Sequence, residues 1–362
     1  MKKLKSNFFP VLLSAISVML LQSCHSGYYS ESDFFRVKKI DAHVHILTTD
    51  PALQKHALEE NLTFLTINVN ASENVNRQWD TSIVLLKKFP GLVHYLATFT
   101  FDTATWNGND WEKRTIDELD RNLSGGAVGV KLWKNIGMTE RDRAAKFIMI
   151  SNNRFDPVIS YIEKKGLPLT GHFGEPKNCW LPIDSMTVNN DKNYFKRHPE
   201  YHMFLHPEYP SYLDQVSARD SMLSKHPGLK FIGCHLASLE WDVDVLAGTL
   251  DRFPNMAVDL AARIGHLQYQ SAKNRDKIRN FLIKYQDRIL YGSDMGYSGK
   301  PDSSFYAHAL AGRLNDWNYF TGSMELKSKD VNAPFTGLHL PKPVVDKIFY
   351  GNAVRWYQLD KL

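Results

Sequence analysis

Five side chains able to bind a cation or move a proton stand at the ends of apolar segments. His43 and His45 form an HxH pair. Residues two apart on a strand share a face, so both imidazoles can enter one cleft. Alone, such a pair carries little weight in a chain with 14 histidines. Its weight comes from its company: His172 and His235 each end a further apolar run, and Asp294 ends the last one. Imidazole nitrogens with a carboxylate oxygen suit Zn²⁺, Mn²⁺ or Fe²⁺ and are wrong for Ca²⁺ or a soft thiolate site. A metal of that kind acidifies water toward neutral pH and polarises a carbonyl, which is hydrolytic chemistry. Taken singly, His172 or His235 reads as well as a packed histidine satisfied by a carbonyl, and Asp294 as a helix cap. All five at strand ends by accident is a far weaker account.

Those ends belong to a repeating pattern. Short apolar runs occur at 38–46, 62–70, 92–101, 127–133, 167–173, 229–236, 256–262 and 289–296. Amphipathic stretches lie between them, at 77–89, 111–123, 156–166 and 211–226 among others, and several stop at Pro or Gly before the next run. Near-continuous apolar strands are those of a buried parallel sheet. Eight of them, each followed by a helix, predict an α/β fold of the (β/α)₈ TIM barrel type. An open doubly wound sheet is the rival, but no Gly-rich phosphate turn follows the first strand. The ends of barrel strands form one face, so the five residues converge there. The longest interruption, 174–210, carries six aromatic residues and is predicted to lie over that face as a lid or pocket wall.

The ordered set IDAHVH, GVKLW, TGHFGE, GCHLAS and YGSDMG resembles the metal-dependent amidohydrolase superfamily. It is most similar to the amidohydrolase-2 branch that includes aminocarboxymuconate-semialdehyde decarboxylase, and FYGNAVRWY (349–357) resembles that branch's closing helix. The resemblance spans about residues 38 to 357. It implies one divalent ion, Zn²⁺ in first place, held by His43, His45, His172 and Asp294. It implies that His235 orients the attacking water, or protonates the substrate in decarboxylases. Asp294 is then able both to ligate and to accept the water proton.

Four further residues are candidates for substrate contact. Lys131, in GVKLW, is carboxylated and bridges a second metal in some relatives; otherwise it binds an anionic group or lies at the rim. Glu175 follows His172 by three positions, and Asp259 and Arg263 lie on the seventh strand and its loop. Asp259 and Arg263 read equally as an ion pair of the rim. Cys234 precedes His235 and by strand alternation is expected to point outward as a packing residue, and Cys179 has no assigned role.

The N-terminus reads as an export signal. MKKLKS leads into an apolar run at 8–21, too short to span a bilayer comfortably, and then into Leu21-Gln22-Ser23-Cys24. This resembles a bacterial lipobox, which implies a signal peptide over 1–23, acylation of Cys24, a tether over 24–37 and the barrel over 38–362. The expected location is the cell envelope, on the outer membrane facing periplasm or surface, with membrane attachment by lipid alone. With the three leader lysines removed, 41 basic side chains face 39 acidic ones, so no basic stripe remains for nucleic acid. Three cysteines exclude a disulfide framework. The expected function is hydrolysis of an amide, ester or lactone bond in a small molecule. Non-oxidative decarboxylation is the alternative, and an inactive periplasmic binding module comes last. A homo-oligomer is compatible with the sequence.

Overall fold

The computed structural model describes residues 27–71 and 73–361, so the export signal and Cys24 lie outside the described residues. Parallel strands form at all eight expected places. They are β1 (Lys39–Ile46), β2 (Leu62–Ile67), β3 (Val93–Leu96), β4 (Val130–Leu132), β5 (Pro168–Gly171), β6 (Lys230–Gly233), β7 (Met256–Asp259) and β8 (Ile289–Leu290). A short β9 (Met295–Tyr297) follows β8 and pairs with β1. The hydrogen-bonded orders are β3-β2-β1-β9 and β4-β5-β6-β7-β8. Backbone contacts join the two sets at both edges. A parallel bridge links Ala97 to Val130, and the Lys131 N–H donates to the Ala97 carbonyl at 2.6 Å. At the other edge the Ala42 N–H donates to Tyr291 O (3.0 Å) and the Asp294 N–H to His43 O (2.8 Å).

Alternation along each strand sorts the side chains. Ile40, Ala42, Leu65, Ile67, Ile232, Ala257 and Leu290 pack together in the barrel interior, closed off by Ala353 and Tyr357 of the final helix Asn352–Tyr357. Leu169, Phe231, Val258 and Ile289 point the other way, into one cluster with helix residues such as Ile159, Leu246 and Phe281. Burying each large aliphatic side chain contributes roughly 1.5–3 kcal/mol. The anticipated helices form as Val75–Lys88, Trp111–Ser124, Asp156–Lys164 and Tyr212–Lys225. Asn74 and Ser211 cap two of them by accepting backbone N–H bonds.

Four features depart from the sequence reading. The eighth strand breaks after Leu290, and Asp294 takes φ +65° before β9 resumes. The stretch 174–210 is a self-packed cover containing the helix Asn189–Arg197, with Cys179, Met186, Phe195 and Met203 gathered around Met138. A hairpin of β10 (Glu325–Ser328) and β11 (Val331–Thr336) forms in a polar segment that lacks a clear apolar alternation. Residues 28–37 do not form a loose tether. Phe34 is fully buried, its ring lies 5.9 Å from that of Trp317, and the Trp317 indole donates to Ser30 O at 3.0 Å. An apolar side chain with a pocket to fill outweighs the polarity of its neighbours here. Among the described residues no helix is long and apolar enough to cross a membrane.

Candidate metal centre at the mouth of the barrel

Which way His43 and His45 point is decided by a bulge. Asp41 pairs with Phe64 and Val44 with Thr66, so three steps of β1 span two of β2. Ile40 and Ala42 face inward below the bulge, whereas Val44 and Ile46 pack outward above it, against Phe64 and Tyr297. The extra residue thereby turns both imidazoles into the barrel mouth. Gly292 makes room for one of them, since a Cβ there would lie 2.8 Å from the Cβ of His43.

His43 Nδ1 lies 2.7 Å from Asp259 Oδ2, so Nδ1–H donates to the carboxylate and Nε2 faces the mouth. Nε2 lies 3.3 Å from Asp294 Oδ1, and His45 Nε2 lies 3.5 Å from the same oxygen. His43, His45 and Asp294 thus offer three ligand atoms within 4.8 Å of one another. Burial pushes the His45 imidazole down from its ordinary pKa, which favours the neutral, ligating form. Burial also opposes charge on His43, but the Asp259 carboxylate outweighs it and raises that pKa well above normal. A cation arriving at Nε2 takes the place of the proton held there, so binding releases a proton. Asp294 stays ionised: desolvation opposes its charge, and bonds from His43 and His45 bring its pKa well below the carboxylate range.

His172 stands a little apart. It lies outside the 4.8 Å group, and its ring packs on that of His235 at 4.3 Å between centroids. His172 Nε2 is buried and has no hydrogen-bond partner. Burial, followed by the nearby His235, Lys134, Lys131 and Arg263, pushes its pKa well below normal, leaving a neutral ring with a bare buried nitrogen. An orphaned nitrogen of that kind is costly unless something binds it. With the mixed imidazole and carboxylate donors beside it, the site fits a borderline divalent ion.

His235 is held differently. Its Nδ1 lies 2.8 Å from the Ala261 carbonyl, which can only accept, so Nδ1 carries the proton and Nε2 keeps a lone pair. Its ring lies 4.7 Å from that of His43. Burial drives its pKa down to about 3, with Asp294 opposing and His43 and Arg263 reinforcing the shift. His235 is therefore a neutral proton acceptor at pH 7.

The candidate substrate residues divide. Asp259 is 1% exposed and spends both oxygens on protein donors: Oδ2 on His43, and Oδ1 on the amides of His235 (2.7 Å) and Ala261 (3.2 Å). It orients the site instead of facing substrate. Lys131 is buried and donates to Cys234 Sγ at 2.6 Å. That contact corrects the outward direction expected for Cys234. Alternation from inward Ile232 places Cys234 inside as well, and His235 reaches the mouth only because the backbone turns left-handed there. Glu175 pairs with Lys134, a residue the sequence reading did not single out, and lies 3.9 Å from His172 Nε2. Arg263 is buried, donates through one terminal nitrogen to Ala262 O, and leaves its Nε without a partner.

Asp41 was also missed. It accepts from the Ser293 amide (2.9 Å) and hydroxyl (2.5 Å), tying β1 to the loop that bears Asp294. Burial raises its pKa to about 6. Its position two residues before His43, between the apolar Ile40 and Ala42, was the available signal. The 174–210 cover is fastened to the barrel by Asp191, which lies 3.1 Å from His266 Nε2, and by the Lys177 amide bonded to Glu240, while Asn178 braces Asp191 from within the cover at 2.9 Å.

A family model described as amidohydrolase matches residues 101–359. Among solved structures, an uncharacterised TIM-barrel protein from Bordetella bronchiseptica is similar at 15% identity and TM-score 0.50, covering 90% of this chain and 100% of that one. An amidohydrolase II is similar at 16% and 0.52, covering 89% and 100%. A 2,6-dihydroxybenzoate decarboxylase from Rhizobium is similar at 15% and 0.52, covering 90% and 99%. At such identities the likeness is one of fold, and it makes this chain a TIM barrel. No curated protein matches.

Proposed function

The chain belongs to the amidohydrolase family and is a metal-dependent enzyme of that superfamily, and we propose that it hydrolyses an amide, ester or lactone bond in a small molecule. His43, His45, His172 and Asp294 would hold one divalent ion, with Zn²⁺ best suited to three imidazoles and a carboxylate. When bound, that ion supplies Lewis acidity, polarising a carbonyl and acidifying water. The chain's own residues do the rest. His235 Nε2 accepts a proton from the attacking water and returns it to the leaving nitrogen or oxygen. The Nδ1–H bond to Ala261 holds the ring in the tautomer this needs. Asp259 fixes His43 in the same way. The 174–210 cover brings Glu175 beside Lys134 next to His172, and these two, with Arg263, offer polar contacts to substrate.

The observation that carries hydrolysis over decarboxylation is the bare Nε2 of His235. A decarboxylase needs a proton delivered to carbon, and this neutral ring, whose one proton is committed to the Ala261 carbonyl, has none at Nε2 to give. Lys131 supports a single ion, because its amine is engaged by Cys234. Product analysis decides the reaction: an acid and an alcohol or amine from a zinc-loaded sample support hydrolysis, and release of CO₂ supports the alternative.

Two further outcomes are expected. Adding Zn²⁺ to chelator-treated protein should raise the melting temperature. Ligand at 100 times Kd stabilises by about 2.7 kcal/mol, which differential scanning calorimetry resolves easily. A melting curve indifferent to Zn²⁺, Mn²⁺ and Fe²⁺ would rule out the centre. From the lipobox resemblance we also propose that Cys24 anchors the enzyme to the cell envelope. Cys24→Ala should move it from the membrane fraction to the soluble fraction, and a variant that stays membrane-bound would refute the anchor.

A further inference from the structure

Directly after β6 the backbone makes a full left-handed helical turn with no glycine in it. His235 (φ 58°, ψ 45°), Leu236 (56°, 29°) and Ser238 (58°, 23°) lie in the left-handed region, and Ala237 has φ 57°. L-residues visit this region singly and at a cost, so four in succession need outside support. The support is visible. Asp259 Oδ1 takes the His235 amide, and the Ser238 hydroxyl donates to Phe173 O at 3.1 Å. The other two contacts come from the helix Tyr212–Lys225, outside the barrel. The buried Arg219 guanidinium donates to the Ala237 carbonyl, and the Tyr212 hydroxyl donates to the Ser238 carbonyl at 2.5 Å. Each donor is itself aimed. Asp220 holds two nitrogens of Arg219 at 2.8 and 2.9 Å, and the Trp241 indole donates to the Tyr212 oxygen at 2.8 Å.

We infer that Arg219 and Tyr212 are positioning residues that act through this turn on His235. In an extended continuation of β6, inward Cys234 would send the next side chain outward. The left-handed turn lets Cys234 keep Lys131 while His235 reaches the mouth and donates to Ala261. Without Arg219 and Tyr212 the two carbonyls lose their donors and the turn relaxes toward ordinary backbone angles. The effect on turnover rests on the hydrolase reading; the effect on the ring does not.

The test therefore reads the ring directly. In zinc-loaded protein labelled with ¹⁵N-histidine, long-range ¹H–¹⁵N spectra should show His235 protonated on Nδ1. Arg219→Gln should lose that signature, and amide hydrogen exchange over 234–239 should speed up at least about tenfold, with bound zinc unchanged. Arg219→Lys, which keeps one donor, should recover part of it. Adding Ala237→Gly to Arg219→Gln should restore it further, because glycine adopts the turn without strain. An Arg219→Gln protein with the unaltered His235 signature would overturn the inference. So would a loss of protection spread over the whole chain that Ala237→Gly does not repair. Failure of the hydrolase reading would show separately, as unchanged protein that turns over no ester, amide or lactone.

Discussion

His235→Asn is expected to lower kcat by about 10²–10⁴-fold, the usual cost of losing a general acid–base group, while bound metal stays near its original level. The reason lies in how the two ring nitrogens are used. Nδ1–H is committed to the Ala261 carbonyl, so only Nε2 is free, and the ring is neutral. Asn matches the Nδ1 side approximately and has nothing able to take a proton where Nε2 stood. Elemental analysis beside steady-state kinetics distinguishes this role from ligation, which the closeness of His235 to His43 and Asp259 makes worth testing. If His235→Asn sheds metal as fully as His172→Asn does, then His235 is a ligand and the assignment fails. The pH dependence should differ from that of an exposed histidine. Burial holds the His235 pKa at about 3, so base function should persist well below pH 6.

Much of this site was legible because it rests on periodicity. Eight apolar runs give eight strand positions, and the strand ends bring His43, His45, His172, His235 and Asp294 to one face without knowledge of any contact. What the sequence hid was local backbone geometry. Alternation alone places Ala42 and Val44 on the same face as Ile40, and only the bulge in β1 reverses this for the histidines. At β6 the same rule, anchored on His235, sent Cys234 outward. The left-handed turn breaks the period there. Gly233 before it only makes room for Ala237, and no glycine lies within the turn, where Arg219 and Tyr212 supply the stabilisation that a glycine would have made unnecessary. Asp294 is a third case, with positive φ at a position where a strand was expected. The candidate site side chains of this barrel sit where regular geometry ends, so pattern reading finds their identities more readily than their directions.

Asp259→Asn tests that geometry at its most connected point. All three of its partners are donors: His43 Nδ1–H on one oxygen, and the amides of His235 and Ala261 on the other. Asparagine keeps the shape and replaces one acceptor with an NH₂ group. In one orientation that group faces His43, which must then give up its Nδ1 proton and the tautomer that presents Nε2 to the metal. In the other it faces the His235 and Ala261 amides and leaves two buried donors unpaired, at roughly 1–3 kcal/mol each. Neither orientation satisfies both ends. Metal affinity should fall by about 10–100-fold, as when a partner of a ligating histidine is lost, and kcat should fall even when metal is restored, because His235 is disturbed as well. The acid side supplies a second readout. Desolvation opposes the Asp259 charge, but His43 outweighs it and brings the pKa down to about 2. The stability this carboxylate contributes is complete above its unfolded value near 4 and is lost as pH falls toward 2. The asparagine variant should lack that part of the acid transition, in calorimetric scans between pH 5 and pH 2. A variant that binds zinc, turns over substrate and unfolds in acid as the unchanged protein does would show that Asp259 orients neither histidine.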